Sequence, residues 1–317
     1  MTKSNTYIAE TIKQHAATLG FDACGIAKAD SVAKNEQAFM EQWLADGKQA
    51  GMNYLERHRD LRYAPALLEK GCKSVIVVAL NYYHEQVPSS PDVPRFARYA
   101  YGKDYHHLIK ERLYRLLQFI SEKITPANGR AFVDSAPVME RYWARKAGLG
   151  WQGKNNMLII PKKGSFFFLG ELFVDIELPA DPPFSASYCG NCTRCLDACP
   201  SHALEKPYCL NAQHCLSYQT IENKETIPQA LQPLLCHNTA YGCDICQEVC
   251  PHNRFARPHQ IAELMPSDDF LNKTAEEWKQ LDKKTYKQLF KHSAVERAGF
   301  EKLKENIRLF YHEETQE

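Results

Sequence analysis

The sequence predicts an α+β fold in three parts: an α/β-like domain over residues 1–180, a cysteine-rich domain inserted over residues 181–258, and a short helical segment over residues 259–317. Three observations support this division. Helical and strand patterns alternate along the first part. Closely spaced cysteines fall in the second part. Beyond Pro258 the sequence is polar and has helical character.

The elements of the first part follow from local periodicity. An amphipathic helix is predicted over residues 4–19, where apolar side chains recur at helical spacing. Residues 72–80 are continuously apolar and β-branched, which is typical of a strand buried on both faces. The other predicted elements are strands over 21–27, 131–133, 157–161 and 166–178, and helices over 39–44, over 108–120 and from Pro137 onward.

Two cysteine runs have the spacing by which bacterial-type ferredoxins hold iron–sulfur clusters. Residues 189–200 read C-x2-C-x2-C-x3-C-P, and residues 243–251 repeat the second half of that pattern. Thiolates two residues apart on a tight turn reach different irons of one cluster, and the cysteine before proline crosses to the other cluster. The pattern therefore predicts two 4Fe–4S clusters.

The second run lacks one ligand, because Ala240 stands where a complete run would have cysteine. The crossover rule assigns one cluster to Cys189, Cys192, Cys195 and Cys250. The other cluster takes Cys199, Cys243, Cys246 and one of three upstream candidates, Cys209, Cys215 or Cys236. Zinc and structural disulfides are the alternatives, but zinc sites rarely use three evenly spaced cysteines followed by Cys-Pro.

Composition describes an ordinary globular protein and excludes several classes. The 317 residues are 44% hydrophobic and 24% charged, and the net charge of +1 gives no overall field toward a polyanion. No signal region and no apolar run of about eighteen residues occurs, and clusters and free thiols suit a reducing compartment. We therefore expect a cytoplasmic chain with no membrane partner. No dinucleotide-binding or P-loop glycine motif is present.

Two segments are locally basic. Residues 279–308 hold nine Lys or Arg against four Asp or Glu, and residues 141–163 hold six and no acid. Tyr142, Trp143 and Trp151 lie among the second set, a combination that can bind phosphates and stack bases. The alternative is a pair of solvated basic faces, the commoner origin of charge runs.

Six segments form a combination found in one enzyme family. They are YLERH at 54–58, RYAYGKDYH at 98–106, VDSAPV at 133–138, AGLGWQGKN at 147–155, GSFFFLGE at 164–171 and GCDICQEVCP at 242–251. The chain, from about residue 20 to residue 310, resembles the epoxyqueuosine reductases, which depend on cobalamin and iron–sulfur clusters and complete the queuosine modification at the wobble position of tRNA anticodons. Many of these enzymes continue into a helical-repeat domain, whereas this sequence stops at Glu317. We therefore expect a tRNA contact that is smaller or arranged differently. A monomer is the default expectation.

The resemblance implies a reductive mechanism. An unidentified low-potential donor gives electrons to one cluster, the other cluster passes them to cobalamin lacking its lower base ligand, and Co(I) reduces the epoxide to an alkene. The oxygen leaves as water, so the reaction consumes two electrons and two protons and needs an acid. The modified base, in the anticodon loop, is unpaired and can enter a pocket.

Asp134 matches the family's proposed proton donor. It follows a predicted buried strand, at the edge where α/β sheets bind ligands. Packing against a corrin face would remove water from its carboxyl and favour the protonated form near neutrality. The alternative role is an N-cap for the helix predicted from Pro137.

The same resemblance assigns further residues. It makes Cys215 the missing cluster ligand. The positions at or beside corrinoid contacts are Arg57, Ala97, Asp134, Leu158, Leu169 and Ser217. Strand packing explains the two leucines equally well, whereas a guanidinium suits the amide and phosphate oxygens of a corrinoid. For tRNA the first candidate is Arg297, followed by Lys283, Lys284 and Arg141.

Three other functions compete with this interpretation. Corrinoid reductive dehalogenases share the cofactors, but they usually carry an export signal and use tyrosine as the acid. A two-cluster electron carrier would leave about 180 N-terminal residues without a purpose. An RNA-binding protein with structural clusters would show no redox turnover.

Overall fold

A four-stranded antiparallel sheet forms the centre of the computed structural model, which describes residues 3–88, 90–236 and 238–311. The strands within these ranges are β1 (Ala23–Lys28), β2 (Ser74–Asn81), β3 (Gly129–Phe132), β4 (Trp151–Gln152), β5 (Leu158–Ile159), β6 (Phe167–Val174), β7 (Leu204–Lys206) and β8 (Cys209–Leu210). The central sheet has the order β1-β2-β6-β3, while β4 pairs with β5 and β7 with β8.

Helices cover both faces of this sheet and form the C-terminal segment. The α-helices are α1 (Lys3–Thr18), α2 (Lys34–Ala45), α3 (Arg59–Tyr63), α4 (Pro65–Leu68), α5 (Tyr105–Lys123), α6 (Glu140–Lys146), α7 (Arg194–Asp197), α8 (Leu216–Ile221), α9 (Ile245–Glu248), α10 (Asp268–Leu271), α11 (Ala275–Lys279), α12 (Lys283–Leu289) and α13 (Phe300–Phe310). Short 3₁₀ helices lie at Asn53–Leu55, Arg98–Ala100, Ala212–His214, Gln232–Leu234, Pro251–Phe255, Ala262–Leu264 and Ala294–Arg297. Among the helices described, none has the length and apolar character to cross a membrane.

Burial on both faces explains the apolar run in β2. Side chains such as Ile76 pack with α1 and α5 on one face, and side chains such as Val77 pack with Trp143 of α6 on the other. The predicted α+β class is confirmed, but its α/β-like character is wrong, because every neighbouring pair in the central sheet is antiparallel. A continuous apolar pattern reports burial on both faces and does not report strand direction.

Most predicted elements are present with shifted ends. The helix predicted over residues 4–19 is α1, the helix predicted over 39–44 begins earlier, at Lys34, and the strand predicted over 157–161 is only Leu158–Ile159. The strand predicted over 166–178 ends at Val174.

The helix predicted from Pro137 begins instead at Glu140, with Met139 as its N-cap. The residues between β3 and α6 turn twice: the Ser135 N–H donates to the Val133 carbonyl, and the Val138 N–H donates to the Ala136 carbonyl. Asp134 therefore lies too far upstream to be the N-cap, and the alternative role for it is wrong.

An aromatic core joins the loop before α5 to the C-terminal segment. Phe96 lies 5.9 Å from Tyr241, 5.5 Å from Trp278 and 5.8 Å from Phe290, measured between ring centroids. Ala240 is fully buried in the same core, and its carbonyl accepts a hydrogen bond from Asn306 Nδ2 at 2.9 Å. A small residue at position 240 therefore serves packing. The domain boundaries at residues 180 and 258 stay predictions.

Candidate active site and cluster ligands

Two adjoining cavities lie beside the sheet. The first, of about 660 Å³, reaches from β5 and β6 to the cysteine-rich part of the chain. The second, of about 730 Å³, is lined by Arg57, His58 and Arg62 among others. Asp134 and Arg297 line both cavities, so they lie where the two meet. We call these the inner and the outer cavity.

The predicted corrinoid contacts converge on these cavities. Five of them line the inner cavity, namely Ala97, Asp134, Leu158, Leu169 and Ser217, and Arg57 lines the outer one. Leu158 and Leu169 are also buried in the sheet core, so they are both packing residues and cavity wall. The lining of the inner cavity is mainly apolar and aromatic. Arg141 and Arg297 line both cavities, and further guanidinium groups, those of Arg57, Arg62 and Arg145, line the outer one alone. Such a surface suits a large ring with apolar faces and a polar rim.

The structure brings the eight predicted cluster ligands together in two sets. The outer set is Cys189, Cys192, Cys195 and Cys250, whose thiols influence one another electrostatically. The inner set is Cys199, Cys215, Cys243 and Cys246. All four thiols of the inner set line the inner cavity, whereas those of the outer set surround a separate space of about 50 Å³.

The thiols of the inner set are partly buried and influence one another electrostatically, although the described residues hold no three cysteine, histidine or acid side chains already in metal-binding geometry. Burial, and then the neighbouring Cys215 and other acidic groups, raise the pKa of the Cys243 thiol to about 12. The pKa of Cys246 is also raised well above its usual value, first by burial and then by Cys243. Without a cation these groups therefore stay neutral thiols, and the irons of a bound cluster would stabilise the thiolate form.

Of the three candidates for the missing ligand, the structure puts Cys215 into the inner set. Cys209 is buried in β8 and accepts a hydrogen bond from Lys48 Nζ at 3.2 Å. Cys236 lies after the 3₁₀ helix Gln232–Leu234 and lines none of these cavities. Every cysteine of the described chain is a free thiol, so the disulfide alternative has no support in the structure.

Two residues of the basic segment 141–163 donate hydrogen bonds to the backbone of both cysteine runs. Lys154 Nζ donates to the carbonyls of Gly190 at 2.7 Å and Cys192 at 2.9 Å. Asn155 Nδ2 donates to the Cys246 carbonyl at 3.0 Å. The proposed base stacking by Tyr142, Trp143 and Trp151 is wrong, because all three rings are buried in the fold.

Asp134 is held in an uncommon backbone conformation. Its φ of +51° is left-handed, which costs free energy for a residue other than glycine. Asp134 Oδ2 accepts the Tyr105 hydroxyl at 2.8 Å and lies 3.8 Å from His106 Nε2. Its backbone N–H donates to Glu140 Oε1 at 2.6 Å. These contacts hold the Asp134 carboxyl at the junction of the two cavities.

Two acids beside Asp134 were missed by sequence reasoning. Glu171 of β6 is fully buried, and neither carboxylate oxygen has a hydrogen-bond partner in the described chain. Burial, followed by the charges of Glu140 and Asp134, raises the pKa of Glu171 well above its usual value. Burial and then Asp134 raise the pKa of Glu140 to about 7. The sequence signal was Glu171 itself, a single acid within the apolar strand FFLGELFV.

Replacing Glu171 with Gln is expected to stabilise the fold increasingly as pH rises. The folded chain holds a proton on Glu171 that the unfolded chain releases above pH about 4.5, so each further pH unit lowers the free energy of unfolding by about 1.4 kcal/mol until the raised pKa is reached. The amide side chain of the Glu171→Gln variant has no such proton to lose. Thermal unfolding midpoints should be equal near pH 4.5 and higher for the variant by several degrees at pH 8.

The matched control is Glu177→Gln, since Glu177 is exposed and lies after the same strand. It should leave the midpoint unchanged throughout this range. A Glu171→Gln variant with an unfolding midpoint equal to that of the unmodified chain at pH 8 would mean that Glu171 is not held protonated.

The predicted tRNA contacts divide into two groups. Arg297 and Arg141 line both cavities, whereas Lys283 and Lys284 are exposed in the first turn of α12 and line neither. Arg297 forms a two-pronged ion pair with Glu222, at 2.5 Å and 3.0 Å. The structure therefore associates the arginines, and not the lysines, with the cavity junction.

Comparison with known proteins gives matches along most of the chain. The family model described as epoxyqueuosine reductase QueG, DUF1730, matches residues 62–135, and a 4Fe-4S double cluster binding domain matches residues 188–253. An epoxyqueuosine reductase of Cellulophaga algicola is 45% identical over 94% of this chain and 96% of its own length. One of Pseudomonas aeruginosa is 41% identical over 95% of this chain and 84% of its own.

Solved structures agree. A crystal structure of epoxyqueuosine reductase with an epoxyqueuosine-modified tRNA-Tyr stem loop has a TM-score of 0.87 and 30% identity, covering 96% of this chain and 80% of that one. The Bacillus subtilis enzyme, in a structure whose catalytic loop is swung out of the active site, has a TM-score of 0.87 and 29% identity over 96% of this chain and 81% of that one. A catabolic reductive dehalogenase, at 15% identity and a TM-score of 0.50, covering 84% of this chain and 34% of that one, shares the fold alone.

Proposed function

The chain belongs to the epoxyqueuosine reductase family, and we propose that it reduces epoxyqueuosine at the tRNA wobble position with cobalamin in its two cavities and electrons from two 4Fe–4S clusters. It is an oxidoreductase of the last step of queuosine biosynthesis. The observation that carries the proposal is the inner cavity, where Asp134, the predicted corrinoid contacts and four cluster cysteines meet. The dehalogenase, electron-carrier and RNA-binding alternatives are set aside.

The cavity lining supports cobalamin as the cofactor. Leu158, Leu169 and Ala97 would pack on an apolar macrocycle face, and Arg57 would bind amide or phosphate oxygens at its rim. When bound, cobalamin would supply a low-valent cobalt centre able to give two electrons to the epoxide. The residues of this chain would hold the ring, exclude water from its face and present an acid beside it.

The positions of the two cysteine sets support a direction for electron flow. The inner set lines the cavity, so its cluster would be the one adjacent to the corrinoid. The outer set borders exposed side chains such as Arg194, so its cluster would receive electrons from an external low-potential donor. The double-cluster domain match supports two clusters as the occupants.

We assign Asp134 as the acid of the reaction. Its carboxyl lies at the cavity junction, and the buried Tyr105 hydroxyl donates to it. Burial and then the charge of Asp134 raise the pKa of Tyr105 well above its usual value, so Tyr105 stays neutral and remains a donor. Asp134 would give a proton to the departing oxygen and be reprotonated from solvent in the outer cavity.

The outer cavity is the proposed entry for the tRNA base. Its lining includes Arg57 and Arg141, which have no ion pair in the described chain, and the paired Arg145 and Arg297. Phosphates on either side of an unpaired anticodon nucleotide would meet these guanidinium groups. A tRNA substrate and a chain of free thiols support the cytoplasm as the place of action.

Arg297→Ala is expected to weaken binding of a tRNA anticodon hairpin several-fold. If Arg297 neutralises one phosphate, the slope of log affinity against log salt should become less steep by about one. Fluorescence anisotropy at four salt concentrations measures both quantities. Lys28→Ala is the control, because Lys28 is exposed and lines neither cavity. Equal slopes for Arg297→Ala and the unmodified chain would remove Arg297 from the interface.

Anaerobic turnover tests the proposal as a whole. The purified chain, with both clusters reconstituted, is given reductant and tRNA carrying epoxyqueuosine, with and without cobalamin, and the nucleosides are analysed by mass spectrometry. Loss of one oxygen mass only when cobalamin is present is the expected result. Equal conversion without cobalamin would show that another group carries the electrons.

A further inference from the structure

Three carboxyl groups from three elements cluster at the inner cavity: Asp134 and Glu140 line it, and Glu171 lies behind its wall. Asp134 follows β3, Glu140 opens α6, and Glu171 lies in β6 opposite Phe132 and Val77. Helix α6 packs on β6, which brings Glu140 over the face of the sheet that contains Glu171. The proposed function uses only Asp134, so the other two acids need an explanation.

Glu140 makes the contact that ties Asp134 to helix α6. Glu140 Oε1 accepts the Asp134 N–H at 2.6 Å. The other backbone bonds within residues 133–139 are local, joining residues two apart. Because Asp134 has a left-handed φ, the loop would relax if this contact were lost. In a structure of the Bacillus subtilis relative, which has the same fold, the catalytic loop is swung out of the active site.

We propose that Glu140 is the positioning residue of this loop: by accepting the Asp134 N–H, it holds the Asp134 carboxyl at the junction of the two cavities. The proposal rests on the proposed function, since Asp134 is taken as the acid. Glu140 itself acts through Asp134 and donates no proton to the substrate.

The groups around Glu140 explain why the held loop prefers a protonated Glu140. Asp134 faces it from the loop, and the carboxyl of Glu171 is coupled to it from β6. The hydrogen bond from the Asp134 N–H, and then the charges of Arg141 of α6 and His106 of α5, lower the pKa of Glu140. Burial is the largest effect, so the pKa remains raised. Tyr105, also from α5, is neutral. Glu171, being an acid, supplies no positive charge that would lower the pKa of Glu140.

The sign of the pH dependence follows from linkage. In the held loop the pKa of Glu140 is about 7, and in a released, hydrated loop it returns toward about 4.5. The held loop therefore binds more protons between these values, so release becomes up to about tenfold more favourable for each pH unit within this window. Above about pH 7 Glu140 is ionised in the held and the released loop alike, so loop release no longer depends on pH through this residue.

Hydrogen–deuterium exchange of the holoenzyme tests this directly. Exchange of the peptide covering residues 133–139, corrected for intrinsic rates, should accelerate from pH 5 to pH 7 and then level off. Glu140→Leu removes the acceptor and should exchange quickly at every pH, with a lower kcat and a smaller change in KM for tRNA. Glu140→Gln keeps an amide oxygen as acceptor and should restore protection and rate, without the pH dependence.

Two results would overturn the proposal: a loop in Glu140→Leu as protected as in the unmodified chain, or the same pH dependence in Glu140→Gln. Exchange of β2 serves as the folding control, since that strand is buried throughout. Loop exchange is measured without turnover. Failure of every variant to reduce tRNA would therefore count against the proposed function and leave the exchange result to decide the role of Glu140.

Discussion

Asp134→Asn is expected to slow epoxide reduction by a factor of about 10²–10⁴, the range over which a positioned general acid accelerates a reaction. Asn has the shape of Asp and can still accept the Tyr105 hydroxyl through its amide oxygen. It cannot deliver a proton. The left-handed backbone at this position also tolerates Asn better than most residues, so the loop should be retained.

The measurement is a single anaerobic turnover followed by nucleoside mass spectrometry, on protein with verified iron, sulfide and cobalamin content. Asp30→Asn is the control, since Asp30 is exposed, pairs with Lys28 and lines neither cavity. A rate for Asp134→Asn within threefold of the unmodified chain would assign the acid to another group, and the neighbouring His106 would be examined next.

Cys215→Ser is expected to remove the inner cluster and abolish turnover. Each 4Fe–4S cluster takes four cysteine ligands, so loss of one ligand should release the inner cluster. The iron content should then fall from about eight atoms per chain to about four. Cys209→Ser and Cys236→Ser are matched controls, since both residues lie in the same part of the chain and outside the inner set. Both should keep the full iron content and most of the activity.

Iron and sulfide analysis, together with electron paramagnetic resonance of the reduced protein, measures the outcome. Full iron in Cys215→Ser, with loss in Cys236→Ser, would reassign the fourth ligand. Full iron in all three variants would mean that the second cluster has a ligand other than cysteine.

The cluster ligands could be predicted because most of them are local in sequence. Cys189, Cys192 and Cys195 follow one another on one turn, so their spacing alone indicates the site. Cys215 is different, because only the tertiary structure brings it beside Cys243 and Cys246. The residues left three candidates open, and the family resemblance was needed to choose among them.

The parts of the fold that sequence reasoning missed depend on long-range packing. Strand burial was evident in residues 72–80, but whether the neighbour of β2 runs parallel or antiparallel depends on how the chain returns. Pro137 suits a helix start in isolation, yet α6 begins only at Glu140. Trp143 and Trp151 have basic neighbours in sequence and apolar neighbours in space.

The active site also depends on long-range packing that the sequence does not show. Asp134 was predicted from the resemblance, although the argument from a parallel sheet edge was wrong, since the sheet is antiparallel. Glu140 lies outside the family segments, and Glu171 ends one of them, GSFFFLGE, without a role being evident from the sequence. Their importance follows from one helix packing on one strand, which places the buried Glu171 and the half-buried Glu140 beside Asp134.

The most direct test of the account is an anaerobic crystal structure of the chain reconstituted with both clusters and cobalamin. We predict a corrin ring in the inner cavity, in contact with Leu169 and Ser217 and beside the Asp134 carboxyl. A corrin bound away from this cavity, or a cavity filled by protein once the clusters are present, would contradict it.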